Sequence, residues 1–370
     1  MLLTSLFLTT QIAAAQVDAA VQGGIDGGSF PGAVVVIGTM RGVLYTNGIG
    51  HFTWDADSPV PDPDSTLFDL ASLTKVVATT PSIMRLVEQG ELDLDSPVVR
   101  HLPGFAGGNK DAVTIRHLLE HRSGLRAFLP LNTETETAEE AKARVLSEPL
   151  RWDPGGRVAY SDLNAMLLGW IVEAVGREPL DVLAAATVFD RLGMTSTQFR
   201  PPRSARSRMV PVGLWRGHAI AGELHDQNAV RLGGVSGHAG LYSTGADMAV
   251  YARMWLGKGT VDGTTVFRPG MVDHFRRRGP GNRALGWQMR DTTESDNTGT
   301  KMSSATFGHT GYTGTSIWID PIQDLFVILL TNRVFSPRGP SITTLKRVRG
   351  EVADAAVALR REVCGANPSC

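Results

Sequence analysis

Strands are predicted near both ends of the chain, where short apolar runs are bounded by glycines or turn residues. Residues 32–38 and 42–50 form two such runs close together and predict a hairpin. A second hairpin is predicted where residues 315–320 and 325–332 flank Pro321-Ile-Gln-Asp324, a sequence that favours a turn. Both ends of the chain therefore supply strands.

Helices are predicted elsewhere by apolar residues that recur at three- and four-residue spacing. One helix is closed by Gly176, another follows a cap at Ser243 or Thr244, and a third lies near the C-terminal end. Pro81 is expected to kink or divide an earlier helix. The three apolar stripes are Leu163, Met166, Leu167, Trp170, Ile171 and Ala174; Met248, Tyr251, Ala252 and Trp255; and Val352, Ala355, Ala356, Leu359 and Val363.

This order of elements predicts an α/β (α+β) fold, with one antiparallel sheet flanked by N- and C-terminal helices and an inserted, mainly helical subdomain. We expect the sheet subdomain to comprise about residues 16–70 and 280–370, and the helical subdomain about residues 71–279. A cleft between two such units is a common location for a binding site.

Composition narrows the class of protein. The 370 residues are 42% hydrophobic and 20% charged, which is enough apolar content for a large core. The 36 basic and 37 acidic residues give a formal net charge of -1, which argues against a nucleic-acid partner. Two cysteines are too few for a disulfide framework or a four-cysteine zinc site. Cys364 and Cys370 either close a small disulfide loop or remain free thiols.

Residues 1–15 are an apolar stretch that ends in small residues, a pattern typical of a secretory signal peptide. The stretch is too short to span a bilayer, which takes about 20 apolar residues, and no other stretch qualifies. The usual basic start is missing, since the first Lys or Arg is Arg41, so the alternatives are a true start that lies upstream or an ordinary helix. We expect cleavage near Ala15 and export, to the periplasm or outside the cell.

The strongest chemical signal is Ser72-Leu-Thr-Lys75, an S-x-x-K pattern at the start of an apolar helical segment. Residues three apart share a helix face, so the Ser72 hydroxyl and the Lys75 amine are able to meet. A serine becomes a nucleophile when a neighbouring base takes its proton, and a desolvated lysine is such a base. By itself the pattern also fits a capped surface helix with an exposed lysine.

Two further motifs follow in the chain. Tyr160-Ser-Asp162-Leu-Asn164 supplies a phenol near a carboxylate and an amide, and a phenol beside a lysine ammonium is able to act as a base. His309-Thr310-Gly311 precedes a predicted strand and is expected in a loop that offers a cation or donor, a hydroxyl and close backbone approach.

S-x-x-K, Y-x-[ND] and [KH]-T-G in this order resemble the serine β-lactamase and penicillin-binding-protein superfamily. Further segments resemble its class C-like branch, at residues 92–97, 114–125, 192–194, 233–243 and 285–287. That branch contains class C β-lactamases, D-alanyl-D-alanine carboxypeptidases and family VIII carboxylesterases. The resemblance implies a β-lactamase/transpeptidase-like fold, which agrees with the order of elements.

The resemblance also implies roles for individual residues. Ser72 would be the acylated nucleophile, Lys75 and Tyr160 the proton-handling pair, and Asp162 their hydrogen-bonding partner. The backbone N–H groups of Ser72 and Tyr312 would form the oxyanion hole. The remaining predicted substrate-binding residues are His309, Thr310 and Gly311.

Two positions depart from the β-lactamase pattern. His309 replaces the usual lysine, which predicts a cation that titrates near neutrality and resembles the carboxypeptidase members more. Asp162 stands where the lactamases mostly have asparagine. A carboxylate there favours a charged Lys75 and shifts the role of base toward Tyr160.

Other motifs are given structural interpretations. His117-Leu-Leu-Glu120-His121 matches an inverted zinc-protease pattern but lies within a segment that the resemblance explains, so no metal is predicted. Ser236 lies in an incomplete nucleophile elbow and is expected to serve a backbone turn. Residues 308–314 lack the features of a phosphate loop, and no cofactor is predicted.

The sequence thus predicts an exported serine hydrolase that forms an acyl-enzyme on a small amide, peptide or ester. A penicillin-recognising D-alanyl-D-alanine carboxypeptidase is the first expectation, followed by a carboxylesterase and then a β-lactamase. The partner would be a small or peptide-like acyl substrate, such as a peptidoglycan stem peptide or a β-lactam. The alternative outside catalysis is a silent penicillin-binding sensor module.

Overall fold

A computed structural model describes residues 2–215, 218–291, 297–336, 341–365, 367 and 370. Within these residues, strands form where the apolar runs predict them and at several shorter sites. The strands are β1 (Gly32–Thr39), β2 (Gly42–Gly50), β3 (Phe68–Asp69), β4 (Gln198–Phe199), β5 (Gly213–Trp215), β6 (His218–Ile220), β7 (Leu241–Ser243), β8 (Thr260–Val261), β9 (Thr264–Thr265), β10 (Gln288–Met289), β11 (Phe307–Thr310), β12 (Ser316–Asp320) and β13 (Leu325–Thr331).

The helices lie mainly between β2 and β10, with one long helix at each end of the chain. They are α1 (Leu2–Asp26), α2 (Thr80–Glu88), α3 (Ile115–Leu119), α4 (Leu131–Glu134), α5 (Ala138–Ser147), α6 (Asp162–Gly176), α7 (Leu180–Ala184), α8 (Asp190–Leu192), α9 (Gln227–Arg231), α10 (Gly245–Leu256), α11 (Pro269–Phe275) and α12 (Ile342–Cys364).

The main sheet joins strands from both ends of the chain. Its six strands have the order β10-β11-β12-β13-β1-β2, and each is antiparallel to its neighbours. Val35 in β1 pairs with Leu329 in β13 on one side and with Asn47 in β2 on the other. Both predicted hairpins are present, and β1 joins them into one sheet.

Helices cover both faces of this sheet. On one face α1 and α12 contribute Val17, Val21, Val348 and Val352 to an apolar cluster that includes Val35 and Leu329. On the other face Val34, Val36, Ile328 and Leu330 belong to a larger cluster that extends through α2, α6 and α10. Alternate residues of β1 therefore face different cores, as the period of a strand requires. The predicted fold class is confirmed.

The predicted apolar stripes are largely buried. In α6 the exceptions are Trp170, which is half-buried, and Ala174, which is exposed. The α10 stripe is buried throughout, and the side chain of Thr244 caps that helix by accepting a hydrogen bond from the N–H of Asp247. In α12 the stripe is buried except for Val363, which is 38% exposed near the end of the helix.

The N-terminal helix contains the residues that are predicted to be a signal peptide. Helix α1 runs without a break through Ala15, and Ala13 and Val17 are buried. The signal peptide stays a prediction. Among the described residues, no helix has the length and apolar character needed to cross a membrane.

At the C-terminal end of the chain, Cys364 and Cys370 are joined as a disulfide, which settles the alternative left open by the sequence.

Candidate active site

Ser72 lies in a single 3₁₀ turn, Ala71–Leu73, that directly follows strand β3. The chain continues as a π-helical turn, Lys75–Thr79, and then without a break as α2, with Pro81 in the first turn of α2. The type of helix therefore changes just before Pro81, but the helical segment is not divided there. Lys75 is only 4% exposed, which excludes the alternative of a surface lysine.

The three-residue spacing of Ser72 and Lys75 brings their side chains together. Lys75 Nζ donates a hydrogen bond to Ser72 Oγ at 2.9 Å, and Tyr160 Oη donates to the same oxygen at 2.9 Å. Tyr160 lies two residues before α6, and its half-buried side chain lies against the imidazole of His121 with the ring centroids 4.6 Å apart. Ser72, Lys75 and Tyr160 therefore form one hydrogen-bonded cluster.

Lys75 contacts an acceptor in each of three directions, which matches the three hydrogens of an ammonium group. Besides Ser72 it forms an ion pair with Asp162 Oδ1 at 2.8 Å and donates to the carbonyl oxygen of His238 at 2.9 Å. Burial opposes the charge, but Asp162 and Tyr160 outweigh it and raise the pKa of Lys75 to about 12. Lys75 is therefore an ammonium group at neutral pH, as the carboxylate at position 162 predicts.

Tyr160 has competing influences on its acidity. Burial raises the pKa of its phenol, the ammonium of Lys75 lowers it, and the nearby Asp162 carboxylate raises it again. The net pKa of Tyr160 is raised, so the resting side chain is a phenol that donates to Ser72. A phenolate at this position would be able to accept the hydrogen of the Ser72 hydroxyl.

The predicted cationic character of His309 is wrong. His309 is 3% exposed, and burial together with the charges of Lys75 and Arg283 lowers its pKa well below the usual range. Its Nδ1 lies 2.9 Å from the carbonyl oxygen of Thr310, so Nδ1 carries the hydrogen, and Nε2 is an acceptor that has no partner among the described residues. His309 is a neutral hydrogen-bonding residue at pH 7.

His309 and Thr310 also lie in strand β11 instead of the expected loop. Phe307, in the same strand, packs edge to face against Trp287 at 5.2 Å and against Trp255 at 5.7 Å between ring centroids. This aromatic packing anchors the strand beside Ser72. The turn that follows carries Gly311 and Tyr312, and the Tyr312 side chain is 56% exposed.

These elements enclose a cavity of about 300 Å³ beside Ser72. Arg283 and Arg349 line it, are 9% and 3% exposed, and form no ion pair with any carboxylate among the described residues. Sequence reasoning missed them because a buried guanidinium without a carboxylate partner has no sequence pattern of its own. The residues lining the cavity are Ser72, Tyr160, Arg283, Gln288, His309, Thr310, Gly311, Tyr312, Arg333, Ile342 and Arg349. All predicted site residues except Lys75 and Asp162 are among them, and those two lie directly behind Ser72.

Ser236 lies near this site but does not line the cavity. Its hydroxyl is 2.7 Å from His238 Nδ1, and His238 Nε2 is 3.1 Å from Asp226 Oδ1. Ser236 and His238 are 6% and 1% exposed. The contacts of Ser236, His238 and Asp226 hold in place the segment in which the carbonyl oxygen of His238 accepts from Lys75. The sequence did not indicate this role for His238.

The residues of the inverted zinc-protease pattern have other partners. His117 Nδ1 accepts the N–H of Thr114 and completes a capping box at the start of α3. His121 Nδ1 accepts the N–H of Ser161, and Glu120 pairs with Arg122 at 3.1 Å. Each of the three side chains therefore has a structural contact within the protein.

The fold and the Ser72 cluster together define a serine hydrolase. A family model described as Beta-lactamase matches residues 17–350, and the chain belongs to that family. A protein of Salmonella schwarzengrund named "Putative D-alanyl-D-alanine carboxypeptidase" is 33% identical over 311 residues, which cover 75% of this chain and 72% of the relative.

Solved structures resemble the fold over nearly its whole length. EstCE1, described as a hydrolase with promiscuous acyltransferase activity, has a TM-score of 0.75 at 24% identity and covers 94% of this chain and 100% of its own. A penicillin-binding protein homologue from Caulobacter crescentus has a TM-score of 0.73 at 20% identity and covers 93% of this chain and 97% of its own. At these identities the likeness establishes the fold alone.

Proposed function

We propose that this serine hydrolase acts as a D-alanyl-D-alanine carboxypeptidase that becomes acylated on Ser72. The observation that carries the proposal is the environment of Ser72 Oγ, which lies 2.9 Å from both Lys75 Nζ and Tyr160 Oη. The relative from Salmonella schwarzengrund supports this choice of substrate. The residue roles follow those that the three motifs predict.

The ionisation states favour Tyr160 as the base for acylation. Lys75, held as an ammonium by Asp162, has no lone pair with which to accept a proton. The phenolate of Tyr160 takes the hydroxyl proton while Ser72 Oγ attacks the substrate carbonyl carbon. The N–H groups of Ser72 and Tyr312 then stabilise the oxyanion, where each donor is worth about 3–4 kcal/mol.

Collapse of this intermediate breaks the bond to the leaving group, which receives the proton from the Tyr160 phenol. A water molecule then adds to the acyl carbon and gives a proton to the Tyr160 phenolate. Tyr160 returns this proton to Ser72 Oγ as the bond between Ser72 and the acyl group breaks, which regenerates the enzyme. Because the pKa of Tyr160 is raised, the phenolate is the minor species at neutral pH. The rate is expected to rise as the solution becomes more alkaline.

The cavity supports an anionic substrate. With His309 neutral, the cations at the cavity are arginines. Arg283 has no carboxylate partner among the described residues, whereas Arg349 already donates to Asn297 Oδ1 and to the carbonyl oxygen of Thr315. A peptide with a free C-terminal carboxylate supplies that partner, and a guanidinium binds a carboxylate well through paired hydrogen bonds. A peptidoglycan stem peptide has this chemistry, which agrees with the predicted export of the protein.

The test compares wild type and Ser72→Ala with a fluorescent penicillin, a peptide ending in D-alanyl-D-alanine and a neutral chromogenic ester. Release of D-alanine and covalent labelling that both require Ser72 support the carboxypeptidase. Ester turnover without labelling supports a carboxylesterase, and rapid penicillin hydrolysis supports a β-lactamase. Labelling without any turnover supports a silent sensor module, and wild-type protein that does none of these contradicts every form of the proposal.

A further inference from the structure

Two threonines tie the loop after β11 to the turn that carries the nucleophile. Thr313 Oγ1 donates to the carbonyl oxygen of Asp69 at 2.7 Å, and Thr315 Oγ1 donates to that of Leu70 at 3.0 Å. Both threonines are buried, at 1% and 0% exposure. The accepting carbonyls belong to the two residues that precede the turn Ala71–Leu73, so both tethers end on the segment that leads into the nucleophile turn.

The nucleophile turn is constrained on its own side as well. Ala71, next to Ser72, has a φ of 46°, in the left-handed region that residues other than glycine seldom adopt. The carboxylate of Asp69 holds this conformation by accepting the N–H of Ala71 at 2.8 Å, and it also accepts the N–H of His225 at 3.0 Å. The N–H of Ser72 therefore belongs to a short segment with little freedom to adjust.

The loop that carries Tyr312 is held from the opposite side. Arg333 Nε donates to the carbonyl oxygen of Tyr312 at 2.6 Å, and Arg349 donates to that of Thr315 at 2.7 Å. At Gly311 the loop approaches the turn so closely that an added Cβ would lie 2.1 Å from Thr315 Oγ1 and 2.5 Å from the carbonyl oxygen of Leu70. The hydroxyl tethers therefore join two segments that are each rigid.

We propose that Thr313 and Thr315 are positioning residues that set the spacing between the N–H groups of Ser72 and Tyr312. This inference rests on the proposed function, in which those two groups form the oxyanion hole. Such donors act only when they lie about 2.7–3.1 Å from the developing oxyanion, and supporting residues must hold that geometry to within about 0.5 Å. A hydrogen bond that joins the Tyr312 loop directly to the segment before Ser72 is suited to holding this geometry.

The experiment replaces each hydroxyl with a methyl group of similar size, in Thr313→Val and Thr315→Val. We expect kcat/KM to fall by about 10- to 100-fold, because displacing catalytic groups by up to about 1 Å lowers the rate by as much as about 100-fold. KM should change less than kcat. Affinity for an aryl boronic acid, whose tetrahedral adduct on Ser72 places an oxygen in the hole, should fall by the same factor as kcat/KM.

Two matched variants separate positioning from general stability. Thr313→Ser and Thr315→Ser keep the hydroxyl and should retain most of the activity. Thr135→Val removes a comparable buried bond, from Thr135 Oγ1 to the carbonyl oxygen of Leu131 at 2.7 Å, in the helical region. It should leave kcat and boronate affinity unchanged, even where its melting temperature falls as far as that of the Thr313 variant.

The outcomes also separate this proposal from the proposed function. Valine variants with wild-type kcat and boronate affinity, or serine variants as impaired as the valine variants, overturn the positioning role alone. A fall in kcat/KM caused entirely by KM overturns it as well. Wild-type protein without turnover and without boronate binding overturns the proposed function, and the positioning role falls with it.

Discussion

The ion pair between Asp162 and Lys75 leads to a prediction about the pH dependence of the reaction. The carboxylate lies 2.8 Å from Lys75 Nζ, and it raises the pKa of Lys75 and of Tyr160. An opposite charge at such a distance shifts a pKa by about 1–3 units. In Asp162→Asn the pKa of Lys75 should fall by about this amount, and that of Tyr160 should fall as well. The acid limb of kcat/KM should therefore move to lower pH, whichever residue is the base.

The limiting rate should fall at the same time, because the ammonium of Lys75 loses a charged partner. A hydrogen bond to a charged group is worth about 1.5–3 kcal/mol, which corresponds to about 10- to 150-fold in rate. The measurement is kcat/KM for a chromogenic acyl ester from about pH 5 to about pH 11, a range that brackets the groups involved. If the Tyr160 phenolate is the base, Tyr160→Phe should abolish the acid limb of the kcat/KM profile.

The same pair affects folding stability. The folded pKa of Lys75, about 12, exceeds its ordinary value of 10.5, so protonated Lys75 contributes about 2 kcal/mol below pH 10.5. This contribution is lost as the pH rises through about 12. Asp181→Asn, which removes an exposed partner of Arg200, is the control and should leave the rate profile unchanged. An acid limb that stays in place or moves to higher pH in Asp162→Asn would refute the reasoning.

Three further predictions concern residues around the site. Arg283→Gln should lower kcat/KM for a peptide with a free carboxylate by about 10- to 150-fold and leave a neutral ester unaffected; equal losses on both substrates would contradict carboxylate binding. Gly237→Ala would place a Cβ 2.0 Å from a backbone carbonyl of α6, so the melting temperature should fall by an amount equivalent to about 1–3 kcal/mol. Gly42→Ala, where a Cβ meets no atom within 4 Å, is its control, and equal melting temperatures for the two variants would count against the crowding. Asp226→Asn keeps the cap of α9 but weakens the bond to His238, whose carbonyl oxygen accepts from Lys75. We therefore expect kcat to fall by about 2- to 10-fold with KM unchanged. A change confined to KM would contradict a role of Asp226 in positioning Lys75.

Local spacing made part of the site predictable. Ser72 and Lys75 are three residues apart, and a helical turn of any kind brings such side chains together. The effect of Asp162 on Lys75 also followed from charge alone. Both hairpins and the helices α6, α10 and α12 were predicted because strand and helix periods leave direct patterns of apolar residues.

Burial and contacts between distant segments could not be predicted in this way. The charge assigned to His309 was wrong because its state depends on burial and on Arg283, which no local pattern brings near it. Strand β11 was interpreted as a loop because its residues near His309 are rich in glycine and threonine. Thr313 and Thr315 had no predicted role, since their partners lie 244 and 245 residues away in the chain.

That separation has a consequence for how the protein acquires activity during synthesis. A nascent chain that ends before β11 already contains Ser72, Lys75 and Tyr160, but not the loop that presents Tyr312. Contacts across so many residues carry a high loop-closure entropy and tend to form late and slowly. Acylating ability should therefore arise in one step near the end of folding, and incomplete chains should be inert toward acyl substrates.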